Sequence, residues 1–164
     1  MKKKIIIFKG IKFYNCSFEK IIEKINKGGY LVAPAASSLS KIKKNETYHE
    51  SLKKADVAIL DSGFFCILLR LFKNYKVKKL SGYLFLRKFL KLNFHKKTKF
   101  LTIDPSYLDS KINLNYLNKL GIKNINTYVA PIYKNKIIDN NLLKLVVNLK
   151  PNYILINLGG EVQE

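Results

Sequence analysis

The residues best suited to chemistry are an aspartate and the small residues that follow it. Asp61 comes directly after the apolar run 57–60 and precedes Ser62 and Gly63. A carboxylate at the end of a buried strand, beside free main-chain N–H groups, can act as a general base or hold a sugar hydroxyl. The alternative is that Asp61 caps a helix beginning near Phe64, and this segment alone favours the capping role.

Glycines and short polar residues mark two other turns that could hold a ligand. The pair Gly159-Gly160 follows an apolar run and could let the main chain approach a phosphate, with the amide of Gln163 just beyond it. The alternative for this pair is a glycine turn into a terminal helix. Asp104 opens an Asp-Pro-Ser segment, which is interpreted first as a helix start and second as a substrate loop.

The elements that must position these residues alternate along the chain. Short β-branched or aromatic runs are followed by longer helical patterns, which predicts an α/β fold: a Rossmann-like, mainly parallel sheet flanked by helices, in a single domain over residues 1–164. The carboxyl ends of such strands, where ligands usually bind, include the segments above and the segment 33–38. The predicted strands are Lys4–Phe8, Tyr30–Ala33, Val57–Leu60, Phe100–Ile103, Thr127–Val129 and Tyr153–Leu158. The predicted helices are one from Ser17 to the Gly28-Gly29 stop, Thr47–Lys54, Phe64–Phe72, Tyr83–Phe94, Leu114–Leu120, and Asn140–Leu149 with Asp139 as its N-cap.

The charge of the chain is strongly positive and unevenly placed. The formal net charge is +20, from 31 Lys+Arg against 11 Asp+Glu. Residues 62–103 hold eleven of the basic residues and no acidic one. This predicts attraction to phosphate, to an anionic membrane surface or to a polyanionic substrate. Only Arg70 and Arg87 are arginine, which argues against sequence-specific nucleic-acid recognition.

Several other classes of protein are disfavoured by the sequence. Cys16 and Cys66 lack metal-ligand spacing and are interpreted as reduced thiols of a cytoplasmic protein. His49 and His95 are interpreted as surface or structural residues. The sequence contains no export signal, no apolar run long enough to cross a membrane, no phosphate-binding P-loop, no nucleophile elbow and no zinc helix.

The predicted helix Tyr83–Phe94 is amphipathic. It places Arg87, Lys88 and Lys91 on one face and five apolar residues on the other. This pattern suits a helix that lies in a bilayer interface. The alternative, a helix packed on the sheet, is slightly favoured for the helix itself, whereas its acid-free surroundings favour surface binding.

Taken in order, these segments resemble the WecB/TagA/CpsF family of bacterial glycosyltransferases over nearly the whole chain. The resemblance lies in a Val-Ala-Pro strand end, a strand-borne acid, a Lys-Leu-Ser-Gly segment, a Tyr-Val-Ala-Pro-Ile-Tyr segment and a closing segment that runs from Lys-Pro-Asn-Tyr to Gly-Gly-Glu-Val-Gln-Glu. These segments occupy residues 32–34, 55–63, 79–82, 128–133 and 150–164.

The resemblance implies an inverting transfer of an N-acetylated hexosamine-type sugar from a UDP donor to a polyprenyl-diphosphate-linked acceptor, for surface polysaccharides, with no cofactor or metal. It makes Asp61 the catalytic base, Lys79 the group that stabilises the departing diphosphate, and Gln163 a donor contact. The implied setting is cytoplasmic and peripheral to the inner face of the cell membrane, and self-association into a homo-oligomer stays open. The predicted substrate-binding residues are Ser37, Ser38, Ser62, Gly63, Lys79, Ser81, Gly82, Asp104, Gly159, Gly160 and Gln163.

The chain also departs from the family pattern. Ala33 and Ala35 replace the usual Thr and Asn, so Ser37 or Ser38 would have to supply those hydrogen bonds. Leu84 stands where an acid is common, Lys79 replaces an Arg, and the Asp-Pro-Ser segment replaces a glycine-rich loop. The family continues beyond the Gln-Glu motif, and the sequence is therefore expected to lack C-terminal helices and a tail.

These departures favour a second hypothesis, a catalytically silent module that binds a UDP-sugar or a membrane surface. A third hypothesis, nonspecific nucleic-acid binding through the net charge of +20, is the weakest.

Overall fold

The computed structural model describes residues 4–92, 94, 96–133 and 138–163. The chain divides into two compact units, one ending at Phe89 and the other beginning at Leu90. Each unit has mainly or wholly parallel strands and flanking helices, which confirms the predicted α/β class. The strands form two sheets, where the sequence predicted one, and the single-domain organisation stays a prediction.

The first unit contains a four-stranded sheet in the order β1-β2-β4-β3. The first two strands are antiparallel, and β4 is parallel to both β2 and β3. The strands are β1 (Ile5–Phe8), β2 (Ile11–Tyr14), β3 (Leu31–Val32) and β4 (Val57–Ile59). The helices are α1 (Phe18–Ile25), α2 (Ala36–Lys41), α3 (Glu46–Lys54), α4 (Gly63–Lys73) and α5 (Gly82–Phe89).

The strand β2, which the sequence analysis missed, is joined to β1 by a two-residue turn. Lys9 and Gly10 both have positive φ angles, 48° and 81°. A two-residue hairpin turn of this kind matches the right-handed twist of its strands. Helix α2 was also missed.

The helix α5 packs within the first unit. It ends at Phe89 and not at the predicted Phe94, and both Phe85 and Phe89 are buried. The ring of Phe85 lies 5.1 Å from that of Phe18, and Lys88 pairs with Glu19 at 2.8 Å. Phe85 and Phe89 are therefore covered by their own unit, while Tyr83 and Leu84 of the same helix are exposed.

The second unit contains a three-stranded parallel sheet in the order β6-β5-β7. Its elements are β5 (Phe100–Asp104), α6 (Tyr107–Lys119), β6 (Ile125–Val129), α7 (Asn140–Leu149) and β7 (Tyr153–Ile156). The central strand β5 is buried along its whole length. Helix α6 begins at Tyr107, capped by Ser106, and not at the predicted Leu114, so the Asp-Pro-Ser segment is the helix start that its residues suggested.

Asp139 is the N-cap of α7, as predicted, and it also holds two tyrosines. Its carboxylate accepts from the N–H of Leu142 at 2.9 Å and from the hydroxyls of Tyr128 and Tyr133, each at 2.8 Å. Burial acts to raise the pKa of Asp139, but these donors outweigh it and the pKa lies below its ordinary value. Burial, and then the hydrogen bond to Asp139, raise the pKa of Tyr133 to about 12.

This cluster predicts a loss of stability in strong alkali. The pKa of Tyr133 rises from 10.0 to about 12 on folding, so its contribution is complete below pH 10 and is lost as the pH rises toward 12. The contribution of Asp139, whose pKa is lowered, is complete above its ordinary 3.8 and is lost as the pH falls. Tyr133→Phe should remove a step near pH 12 from the tyrosinate absorbance titration. A titration of this variant that keeps the same step as the unaltered chain would contradict the cluster.

Candidate functional site

Asp61 lies at the carboxyl end of β4 and does not cap the following helix. The N-cap of α4 is Ser62, whose side chain accepts from the N–H of Phe65 at 3.2 Å. The capping role considered for Asp61 is therefore wrong, because the next residue fills it. Asp61 is half-buried, and its Oδ1 accepts from the main-chain N–H of Gly82 at 2.8 Å. This hydrogen bond orients the carboxylate.

Gly82 lies where three elements of the first unit pack closely together. It is the first residue of α5, and a Cβ built on it would lie 2.9 Å from the Cβ of Ala33 and 3.5 Å from Oδ2 of Asp61. The N–H of Leu80 donates to the carbonyl of Leu60 at 3.0 Å, which holds the segment before α5 beside β4. The end of β4, the residue after β3 and the start of α5 thus meet around Asp61.

Lys79 brings a positive charge to the same region. It is exposed, and its Nζ lies 3.8 Å from the position that a Cβ on Gly63 would occupy. Gly63 is the first residue of α4, so the ammonium lies beside the N-terminus of that helix. A helix N-terminus and a lysine together favour an anionic group.

The serines predicted as substrate contacts have different local roles. Ser81 precedes α5, and its Oγ accepts from the N–H of Leu84 at 3.5 Å. Ser37 is exposed and Ser38 half-buried in the first turn of α2, which follows β3. Ser62 and Ser81 therefore begin the two helices beside Asp61, and the substrate contacts of all four serines stay predictions.

Asp104 ends β5 in the second unit and is fully buried, with 0% exposure. Its carboxylate accepts from Thr102 at 2.8 Å, from the amide of Asn113 at 2.7 Å and from the amide of Asn157 at 2.8 Å. These bonds tie β5 to α6 and to the segment after β7. The geometry gives Asp104 a supporting role, and its direct contact with substrate stays a prediction. The sequence analysis missed this supporting role because nothing in the sequence pattern marked Asn113 and Asn157 as partners of Asp104.

The residues after β7 form a compact turn. The N–H groups of Val162 and Gln163 donate to the carbonyl of Gly159 at 3.2 and 3.3 Å. The side-chain amide of Gln163, oriented to suit its neighbours, donates to the carbonyls of Leu158 at 2.6 Å and Ile156 at 3.3 Å. Gly159 and Gly160 are exposed, and among the described residues other than its chain neighbours no atom lies within 4 Å of a Cβ built on Gly159. The main chain at Gly159 is therefore open to approach.

Metal ligands and membrane spans were searched for in the described part of the chain. Residues 4–92, 94, 96–133 and 138–163 include no group of three His, Cys, Asp or Glu side chains that could hold a metal ion. Over the same ranges no helix has both the length and the apolar character needed to cross a bilayer. Both cysteines are free thiols, His49 contacts the carbonyl of Lys9 at 2.7 Å, and His95 lies outside the described residues.

Comparison with known proteins agrees with the resemblance noted in the sequence. The protein-family model described as "Glycosyl transferase WecG/TagA/CpsF family" matches residues 6–164. The match includes the residues around Asp61 as well as the turn after β7. No curated protein matches the chain.

The close packing at Gly82 predicts that a single methyl group disrupts the site. Gly82→Ala should lower the free energy of unfolding by about 1–3 kcal/mol, since the new Cβ meets that of Ala33. Gly63→Ala is the matched control, because its nearest neighbour would lie at an ordinary 3.8 Å. Urea denaturation measures both. Equal stability of the two variants would show that the start of α5 has room to move.

The buried network around Asp104 predicts a large effect on stability. Asp104→Ala should lower the free energy of unfolding by about 3 kcal/mol, because it leaves three polar side chains without their acceptor. Asn113→Ala removes one donor and should cost about 1 kcal/mol. Thermal and urea denaturation, followed by circular dichroism, measure both. If Asp104→Ala were as stable as the unaltered chain, the network would not contribute to the free energy of unfolding.

Proposed function

Since this chain belongs to the glycosyl transferase WecG/TagA/CpsF family, we propose that it transfers an N-acetylated hexosamine-type sugar, with inversion, from a UDP donor to a polyprenyl-diphosphate-linked acceptor. The product would enter surface polysaccharide synthesis. The observation that carries this proposal is the half-buried Asp61 carboxylate, held by the N–H of Gly82 at 2.8 Å beside two helix N-termini.

Asp61 is the proposed general base. Its Oδ1 is occupied by the N–H of Gly82, while Oδ2 accepts no hydrogen bond from the rest of the described chain. In the proposed step, Asp61 takes the proton of the acceptor hydroxyl as that oxygen attacks the anomeric carbon. The bond from this carbon to the UDP oxygen breaks on the opposite face, and UDP leaves with the electron pair. A base held at one oxygen and open at the other suits this role.

Lys79 is the proposed partner of the departing diphosphate. Its ammonium lies beside Gly63, where the first N–H groups of α4 also favour negative charge. Charge that develops on the leaving group would be stabilised by these fixed dipoles and by the lysine. Because the lysine ammonium is a point charge, Lys79 cannot make the bidentate contact with a phosphate that an arginine would make.

The turn after β7 is the proposed donor contact of the second unit. Gly159 and Gly160 are exposed and leave room for a phosphate or sugar to approach the main chain. Gln163 holds the turn through the carbonyls of Leu158 and Ile156, so a contact with the donor would exchange these bonds for new ones.

The proposed location is the cytoplasmic side of the cell membrane, at its surface. The eleven basic residues without an acid in residues 62–103 support it, because the inner leaflet is anionic. The two free thiols agree with a reducing compartment.

A second candidate function is a silent binding module of the same fold. The observation that favours it is the pair Ala33 and Ala35 at the end of β3, where neither side chain can hydrogen-bond a substrate. Ala33 also packs against Gly82, which leaves little room for another group there.

Substitution of the proposed base separates these functions. Asp61→Asn keeps an oxygen that can accept from Gly82 but removes the base, so transfer should fall by at least about 100-fold, with folding and UDP binding retained. The assay follows a radiolabelled N-acetylhexosamine from its UDP donor to a polyprenyl-diphosphate-linked acceptor, with UDP binding measured by calorimetry.

The matched control is Asp56→Asn. Asp56 precedes β4 at the opposite end, where its Oδ2 accepts from the N–H of Tyr30 at 3.0 Å, so transfer should continue. Transfer at the normal rate by Asp61→Asn would remove Asp61 as the base. UDP-sugar binding without transfer by the unaltered chain would favour the silent module.

A further inference from the structure

Helix α4 is apolar on two opposite sides. Phe65, Cys66 and Leu69 face the core of the first unit. Phe64, Ile67, Leu71 and Phe72, which we call the α4 stripe, are exposed. Their spacing of three, seven and eight residues from the first places them along one face of a helix. An apolar stripe left exposed on a helix that already buries another apolar face is a surface suited to a partner.

Helix α4 is followed by a lysine-rich loop that is folded back and fixed. The guanidinium of Arg70 donates to the carbonyl of Val77 at 2.8 and 3.2 Å, and Val77 is buried in the core. The buried Asn15 donates to the carbonyl of Lys76 at 2.9 Å and accepts from the N–H of Lys78 at 3.1 Å. The loop is therefore held at two points by hydrogen bonds to its main chain.

The exposed lysines of this loop run from one end of α4 to the other. Lys73 is the last residue of the helix, Lys76 and Lys78 follow on the loop, and Lys79 returns to Gly63 at the start of the helix. We call these four lysines the basic rim. Since α4 has 11 residues, the rim reaches over about 16 Å, from the last residue of the helix to its first.

The combination of stripe and rim selects one kind of partner. No acidic residue occurs between positions 62 and 103, so a second copy that met this surface through the same face would bring lysines against lysines. An anionic bilayer offers both an apolar layer for the stripe and phosphates for the rim. We propose that α4 and its basic rim form a docking surface for an anionic lipid bilayer, with the stripe at the boundary between headgroups and acyl chains.

The docking surface has one consequence for the catalytic site, and only this consequence rests on the proposed function. Phe64 belongs to the first turn of α4, next to Gly63 and close to Lys79. Docking of the stripe would therefore bring the Asp61 region to the level of the headgroups, where the diphosphate of a lipid-linked acceptor lies.

A single tryptophan tests which residues enter the bilayer. The chain has no Trp, so Phe72→Trp gives one fluorescent reporter on the stripe. Tyr107→Trp on α6 is the matched control, since Tyr107 is 76% exposed and Phe72 is 77% exposed. Vesicles of phosphatidylcholine with and without phosphatidylglycerol are added to the full chain. We expect a blue shift and quenching by brominated lipid for Phe72→Trp alone, and only with the anionic vesicles.

Paired variants separate the stripe from the rim. Leu71→Ser with Phe72→Ser should weaken partitioning to anionic vesicles at least about ten-fold, whereas Leu108→Ser with Tyr107→Ser, at similarly exposed positions, should not change it. Replacement of Lys73, Lys76 and Lys78 by Gln should weaken it about five-fold for each lysine. The same change at the exposed Lys41, Lys43 and Lys44 should have little effect. Circular dichroism checks that each variant is folded.

Three results would overturn the docking surface. The first is no binding to anionic vesicles, and the second is binding in which Phe72→Trp shows neither shift nor quenching. The third is self-association in sedimentation that Leu71→Ser with Phe72→Ser abolishes, which would assign the stripe to a second copy. None of these depends on transfer, because Asp61→Asn should bind vesicles like the unaltered chain.

Discussion

The candidate site depends on one hydrogen bond, from the main-chain N–H of Gly82 to Oδ1 of Asp61 at 2.8 Å. It joins the end of β4 to the start of α5, and it forms because residue 82 has no side chain to push against Ala33. This hydrogen bond occupies one carboxylate oxygen of Asp61 and leaves the other available to a substrate. The positions of Lys79 and Ser81 follow, because both lie on the short segment that ends at Gly82.

Much of the fold could be predicted because buried parallel strands are continuous apolar runs. Strands β4, β5 and β7 lie within or beside their predicted ranges, and Asp139 caps α7 as its residue type indicated. Strand β2 was missed although its Ile-Lys-Phe-Tyr sequence alternates between buried and exposed positions, and the signals that could have revealed it were this alternation and the Lys-Gly turn before it. The first half of α6 was missed because Asn113, a polar residue, points inward to Asp104.

The sequence could predict which side chains form the candidate site but not which atoms they contact. Asp61 and Lys79 were identified from their place in an ordered set of segments, but the donor that orients Asp61 is a main-chain N–H 21 residues away. No pattern of residue types can report such a donor. The amphipathic pattern of α5 was likewise real, yet tertiary packing against Phe18 decided which surface covers it. Helix α4 also carries an exposed apolar face, formed by the α4 stripe, in addition to the face that it buries.

Asp61 and Asp104 show why a local sequence cannot distinguish a reactive carboxylate from a structural one. Asp61 follows strand β4 and Asp104 ends strand β5, and both strands are buried in the interior of their sheets. Each aspartate is followed within two residues by a serine. Asp104 receives three side-chain donors and is closed to solvent, so its hydrogen bonds hold β5, α6 and the segment after β7 together. Asp61 receives one main-chain donor and stays half-exposed. A base must exchange its proton with a substrate, and only the second arrangement leaves an oxygen free to do so.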